Sequence, residues 1–103
     1  MFDVTALKER LYEIRIADEQ GSLVDLQVYA PTKSEMSHLT SLMKDPDSIN
    51  TDELYDIVHT IMNHNKQHIV VPESLTAAMS FDVIIAILFD YYSWVADTRA
   101  EKN

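Results

Sequence analysis

The sequence predicts a mainly α-helical domain of about four helices with an N-terminal β-hairpin. Apolar residues recur at helical spacing in three stretches that follow residue 32. Before residue 32, two short runs alternate apolar and polar residues on either side of Gly21, the single glycine, which is the pattern of a hairpin. With 103 residues, 47% hydrophobic and 24% charged, the chain is expected to form a single domain (residues 1–103) with one modest core.

The hairpin is predicted over about residues 12–29. Tyr12–Ile16 and Leu23–Tyr29 alternate as half-buried strands do, and residues 17–22 form the turn. A short helical segment is expected within residues 1–10. An alternative prediction joins residues 2–16 in one helix, because their apolar residues also form a passable helical stripe.

The helical part is predicted over about residues 32–98, with a polar tail at 99–103. Thr32 to Glu35 has the form of a capping box, and it opens a helix that runs to about Lys44. The next helix is capped by Asn50 or Thr51 and ends near Asn63. A short extended piece at residues 69–71 and a small helical segment from Pro72 to Met79 follow.

The last helix, from a Ser80 cap to about Thr98, is expected to be the element around which the rest of the chain packs. It contains the only tryptophan and an unbroken apolar run from Val83 to Phe89. A helix that is apolar nearly all round is buried by several neighbours or by a partner. It is too short and too often interrupted by polar residues to be a membrane span. Val83 to Leu88 is therefore assigned to the core.

Seventeen acidic residues against eight basic ones give a formal charge of −9. Such a surface repels nucleic acid, so DNA and RNA binding are set aside. No N-terminal apolar run follows a basic segment, so no signal peptide is expected. Cysteine is absent, which fits a cytoplasmic location.

No metal, cofactor or catalytic site is predicted. His59, His64 and His68 do not share one helical face, and no metal-binding pattern accompanies them. A calcium loop from Asp45 to Asp56 lacks the required glycine and the closing glutamate, so a capped turn explains the same residues. Asp82 and Asp90 are interpreted as a capping and a solvated carboxylate, and one glycine leaves no phosphate-binding loop.

The aromatic end of the last helix is the candidate partner-binding site. Tryptophan and tyrosine are frequent anchors of protein interfaces. The same side chains are equally able to plug one end of the core while their polar atoms reach water. The candidate set contains Phe89, Tyr91, Tyr92, Trp94 and Val95.

Most of residues 10–97 resembles the tail assembly chaperones of long-tailed bacteriophages. The features that carry the resemblance are the hairpin that leads through Ala30-Pro31 into a helix, the helix Leu54–Met62, the phrase Asn63-His64-Asn65-Lys66, the stretch Ile69-Val70-Val71, the turn Pro72-Glu73-Ser74, and a last helix that begins near Phe81-Asp82 and ends on aromatic residues.

The resemblance implies a non-catalytic chaperone in the host cytoplasm. Members of that family coat the tape measure protein, a long helical chain with much apolar surface, until tail-tube subunits polymerise around it. They use no cofactor and tend to self-associate, and the tail-tube protein is a further possible partner. A different hypothesis, based on the residues alone, is a small acidic helical adaptor that binds another protein and has no role in a phage tail.

Overall fold

The computed structural model describes residues 1–4, 10–45 and 49–100, with side chains described as far as Asp97. Within these ranges the elements are β1 (Leu11–Ala17), β2 (Leu23–Tyr29), α1 (Lys33–Lys44), α2 (Thr51–Asn63), α3 (Glu73–Ala77) and α4 (Phe81–Ala100). The mainly helical class with an N-terminal hairpin is confirmed.

The hairpin turn is built by one aspartate and the single glycine. The Asp18 carboxylate accepts hydrogen bonds from the backbone N–H groups of Gln20 (2.9 Å) and Ser22 (2.8 Å). Gly21 has φ of +82°, a conformation that side chains with a Cβ rarely adopt. These contacts reverse the chain so that β1 and β2 pair antiparallel.

The alternative of a single helix over residues 2–16 is wrong, because β1 begins at Leu11. The alternation decides between the two: Tyr12 and Ile16 are buried on one face of the strand, while Glu13 and Arg15 are exposed on the other. The short helical segment expected within residues 1–10 falls largely on residues 5–9, which lie outside the described part of the chain.

The outer edge of β2 is covered by the segment that follows α2. The Tyr29 N–H donates to the carbonyl of His64 (3.0 Å), and the Lys66 N–H donates to the carbonyl of Gln27 (2.8 Å). The Gln67 side chain then accepts from the Gln27 N–H at 2.9 Å. This edge of the sheet is therefore already hydrogen-bonded within the molecule.

The predicted caps of α1, α2 and α4 are present. The Thr32 hydroxyl accepts from the Glu35 N–H (3.3 Å), while the Glu35 carboxylate accepts from the Thr32 N–H (2.9 Å), which completes a capping box. Asn50 caps α2. The Ser80 hydroxyl accepts from the N–H of Val83 at 3.3 Å, so α4 begins where its sequence predicts.

The helix at the centre of the fold is α2, which packs against β2, α1, α3 and α4. The expectation that the Ser80–Val95 stretch forms the centre is therefore corrected. The physical reason is the regular spacing of the apolar residues of α2, which give one broad stripe that several neighbours share. Its buried residues are Leu54, Ile57, Val58, Ile61 and Met62.

Among the described side chains of α4, one stripe is buried, namely Ile84, Leu88, Tyr91 and Val95. The assignment of all of Val83–Leu88 to the core is thus partly wrong. Val83 is 45% exposed and Ala86 is exposed as well. In a domain this small, the neighbouring elements cover one side of the helix and leave the opposite side open, even where that side is apolar.

Two asparagines fix the loop between α2 and α3. The carboxamide of Asn63 bonds both the N–H (2.8 Å) and the carbonyl (3.1 Å) of Val71. Asn65, which is 3% exposed, bonds both backbone groups of Ile69 and the carbonyl of Met62, each at 2.8 Å. The asparagines in the phrase that carries the family resemblance therefore have a structural role here.

Candidate partner-binding surface

An apolar groove lies beside the covered stripe of α4, where α1 and the start of α2 approach it. The groove has a volume of about 260 Å³. It is named here the α4 groove, and the residues that line it include Met43, Ile49, Leu54, Phe81, Ile85 and Phe89. Its lining is apolar although it is open to solvent, which is the usual character of a surface that binds another protein.

The spacing of α4 explains the shape of this groove. Phe81, Ile85 and Phe89 are four residues apart, so they lie on successive turns along one side of the helix. Phe81 is 48% exposed and Phe89 is 54% exposed, while Ile85 is half-buried. Two adjacent stripes of α4 are thus apolar, and the fold covers only one of them.

The structure divides the five residues of the candidate set. Phe89 lines the α4 groove, and Tyr92 and Trp94 are half-buried. Tyr91 is 1% exposed and Val95 is 9% exposed, so both side chains belong to the core and not to an accessible surface. The reason is their helical phase, which continues the buried stripe of Leu88.

Trp94 takes part in an aromatic cluster with Tyr12 and Tyr91. The ring centroids of Tyr12 and Tyr91 are 5.2 Å apart in an edge-to-face arrangement, and Trp94 lies 5.6 Å from Tyr12 and 5.8 Å from Tyr91. The Arg10 guanidinium lies 5.7 Å from the centre of the Trp94 ring, which is cation–π geometry. Tyr91 and Trp94 thus join α4 to the hairpin, as the core-plug interpretation predicts.

Two tyrosine hydroxyls in this region are held by hydrogen bonds. The Tyr12 hydroxyl donates to the Asp90 carboxylate at 2.6 Å, and the Tyr91 hydroxyl donates to the carbonyl of Tyr29 at 2.9 Å. Burial is the main cause that raises the pKa of both tyrosines; for Tyr12 the bond to Asp90 adds to it, and for Tyr91 the charge of Glu35 does. Asp90 therefore accepts a hydrogen bond from a buried tyrosine, whereas the sequence predicts only a solvated carboxylate.

A second, polar cleft lies between α2 and α3, with a volume of about 650 Å³. Asp52, Asp56 and Glu73 line it together with His59, whose Nδ1 lies 3.2 Å from the hydroxyl of Thr76. The cleft has an acidic lining. Among the described residues, no group of three or more potential ligands is placed to hold a metal ion.

The three clustered histidines have separate surroundings. His59 is half-buried in the α2–α3 cleft, and His68 is exposed. His64 Nδ1 lies 3.3 Å from a carboxylate oxygen of Glu35, although the pair does not have the angles of a hydrogen bond. Part of the considered calcium loop, residues 46–48, lies outside the described residues, while Asn50 serves as the cap of α2.

Residues that sequence reasoning missed are Met43, Phe81 and Ile85 in the α4 groove. The spacing of Phe81, Ile85 and Phe89 was the signal that could have identified the row on α4. Nothing in the sequence indicates that Met43 lies opposite that row, because the contact depends on how α1 and α4 pack.

Within the described residues, no helix combines the length and the hydropathy that crossing a bilayer requires. Comparison of the chain with protein-family models, with curated proteins and with solved structures gives no match.

Proposed function

We propose that this chain is a tail assembly chaperone of a long-tailed bacteriophage, which binds the tape measure protein and prevents its aggregation until tail-tube subunits polymerise around it. The observation that carries the proposal is the α4 groove, whose apolar row ends in the half-exposed rings of Phe81 and Phe89. The resemblance of residues 10–97 to that chaperone family supports it from the sequence side.

The row on α4 suits a helical partner. An amphipathic helix presents apolar side chains once per turn, and such a helix binds in a groove whose own residues recur at the same interval. Phe81, Ile85 and Phe89 have that interval. The tape measure protein of long-tailed phages is a largely helical chain, so its apolar segments are partners of the required shape.

The acidic surface suits the same role. A chaperone that exposes apolar side chains needs a charged surface elsewhere to remain in solution, and the formal charge of −9 provides it. The proposal assigns the chain no catalytic role and no cofactor. It places the protein in the host cytoplasm, with the tail-tube protein as a possible second partner.

The binding residues of the proposal are Phe89 and Tyr92 together with Phe81 and Ile85. Tyr91 and Val95 are core residues that do not contact the partner in this proposal, and their packing holds α4 in place. Trp94 keeps a half-exposed side chain at the same end of the helix but also supports the aromatic cluster.

Co-expression with the tape measure protein tests the proposal. That protein is expected to be encoded just downstream as a very long, coiled-coil-like chain, to be insoluble alone, and to become soluble with the chaperone. Phe89→Ser should weaken co-purification at least about tenfold, which corresponds to about 1.4 kcal/mol. Tyr92→Ala is expected to weaken it as well.

Val70→Ser is the matched control, because Val70 is 80% exposed and does not line the α4 groove. It should leave both solubility and co-purification unchanged. Wild-type protein that fails to solubilise the tape measure protein would contradict the function. Solubilisation that Phe89→Ser leaves intact, in a variant that is folded by circular dichroism, would contradict the site. If the substitutions in the α4 groove instead abolish co-purification of an unrelated host protein, the result would favour the alternative hypothesis of a helical adaptor with no role in a phage tail.

A further inference from the structure

The two edges of the hairpin differ in their hydrogen bonding. On β2, backbone groups of Asp25, Gln27 and Tyr29 form hydrogen bonds with the segment that follows α2. The backbone groups of these three residues therefore point away from β1. Backbone groups of successive residues in a strand point to opposite sides, so the even-numbered residues of β2 are those that bond to β1. Since Ile14 is paired with Leu26, the even-numbered residues of β1 bond to β2 in return.

The odd-numbered residues of β1 therefore direct their N–H and carbonyl groups away from the hairpin. These residues are Leu11, Glu13, Arg15 and Ala17. No hydrogen bond joins any of their backbone groups to another described residue beyond β2. An edge strand with a row of such groups is a template for pairing with another strand.

We propose that β1 pairs antiparallel with β1 of a second copy of this chain, with the two-fold axis at Ile14, to form a four-stranded sheet. In this arrangement Glu13 of each copy lies opposite Arg15 of the other. Antiparallel pairing places the outward-facing groups of one strand opposite those of the other, which is the geometry of hydrogen-bonded residue pairs. The inference uses β1 alone and does not rest on the proposed function.

The charges on β1 select this register. With the axis at Ile14, all seven residues of each strand overlap and every Glu13 faces an Arg15. A shift of the axis to Glu13 places two glutamates opposite each other, and a shift to Arg15 places two arginines opposite each other. Like charges directly opposite across a sheet are destabilising, while opposite charges are favourable.

Both side chains are available for the contact. Arg15 is exposed and uses its Nε (2.6 Å) and Nη2 (3.1 Å) to bind the Asp25 carboxylate of its own copy. A guanidinium carries five N–H donors, so donors remain for a second carboxylate. The Glu13 side chain is exposed and forms no hydrogen bond or ion pair with another described residue. Arg15 is therefore able to bridge Asp25 and Glu13 of the second copy.

The dimer is expected to be weak and reversible. Pairing along β1 forms about eight backbone hydrogen bonds, two for each of four residue pairs. The buried area of one strand edge is small compared with the roughly 1,000 Å² of stable interfaces, which suggests dissociation constants of about 10–100 μM. Two subunits of charge −9 also repel each other, so the pairing of Glu13 with Arg15 offsets a general repulsion.

Complementary charge reversal tests the pairing in solution. Glu13→Arg places arginines opposite each other in the homodimer and should weaken association by at least about tenfold in sedimentation equilibrium. The double variant Arg15→Glu/Asp25→Lys retains an ion pair within the hairpin but places Glu13 opposite a glutamate, so it should be equally weak. A 1:1 mixture of the two variants restores both opposite-charge pairs and should dimerise as the wild type does.

Two further variants separate the strand edge from general effects of charge or folding. Glu13→Pro removes an outward N–H without breaking a bond to β2, and it should abolish dimerisation while circular dichroism remains unchanged. Glu73→Arg makes the same charge change as Glu13→Arg on α3 and should have no effect. Wild-type protein that stays monomeric up to about 1 mM, or a mixture that stays monomeric, overturns the proposal.

Discussion

The Tyr12 hydroxyl donates a hydrogen bond of 2.6 Å to the Asp90 carboxylate, across a sequence separation of 78 residues. It joins β1, near the beginning of the chain, to the second half of α4. The tyrosine is buried whereas the aspartate is exposed, so this hydrogen bond connects a core side chain to a carboxylate on the surface. The first strand and the last helix are thereby held together in a way that apolar packing alone does not specify.

Replacement of Tyr12 by phenylalanine should lower the free energy of unfolding by about 1–2 kcal/mol, because a hydrogen bond to a charged acceptor is lost. The control is Tyr92→Phe, since the Tyr92 hydroxyl has no hydrogen-bond partner among the described residues. That variant should unfold within about 0.5 kcal/mol of the wild type in urea. Equal stability of the two variants would show that the bond to Asp90 contributes nothing.

Stability should fall as the solution becomes strongly alkaline. Burial is the main cause that raises the pKa of Tyr12 and Tyr91 above the ordinary value of about 10, and the bond to Asp90 adds to it for Tyr12 while the charge of Glu35 adds to it for Tyr91. Each tyrosine therefore contributes stability that is fully present below about pH 10 and is lost as the pH rises further, because only the unfolded state releases the proton readily. The free energy of unfolding, measured from pH 8 to pH 11.5, should be flat at first and then decline. The free energy of unfolding of Tyr12→Phe should decline less steeply over the same pH range. A slope identical to that of the wild type would contradict the contribution assigned to the Tyr12 hydroxyl.

Asn65→Ala should be one of the more destabilising polar substitutions in the chain. Removal of the buried carboxamide leaves the carbonyl groups of Met62 and Ile69 and the N–H of Ile69 without their partner. We expect a loss of about 2–4 kcal/mol, measured by thermal or urea unfolding. Gln67→Ala removes two bonds to β2 at an exposed position and should cost about 1 kcal/mol or less. A smaller loss for Asn65 than for Gln67 would contradict its role in fixing the loop.

His68 has φ of +59°, in the left-handed region that residues other than glycine rarely adopt. The strain costs about 1–2 kcal/mol, whereas a glycine costs about 0.5–1 kcal/mol through the greater freedom of the unfolded chain. His68→Gly should therefore raise the free energy of unfolding slightly, by up to about 1 kcal/mol. A clear loss of stability would mean that the imidazole makes a contribution larger than the strain.

The local signals in the sequence predict most of the secondary structure. A cap depends on residues within one helical turn, which is why the sequence alone predicts the caps Thr32, Asn50 and Ser80. Strand alternation is equally local, and it indicates the hairpin correctly. What the sequence does not contain is the direction from which each helix is covered.

For this reason the sequence indicates that the aromatic end of α4 is important, but it does not indicate which of its side chains are buried and which are accessible. Tyr91 and Tyr92 are adjacent and chemically alike, yet a rotation of about 100° per residue makes one a core residue and the other half-exposed. In a helix with apolar residues on nearly all sides, the pattern does not indicate which stripe faces inward. The bond between Tyr12 and Asp90 could not be predicted for a similar reason, because it requires the relative placement of two distant elements.

The covered edge of β2 determines the end point of any assembly through the hairpin. Filaments grow when every added subunit presents a fresh, unsatisfied strand to the next one. Here the segment after α2 already occupies one side of the two-stranded sheet. Within the described chain, addition at β1 therefore closes after a single partner, and the hairpin gives no route to open-ended, amyloid-like growth.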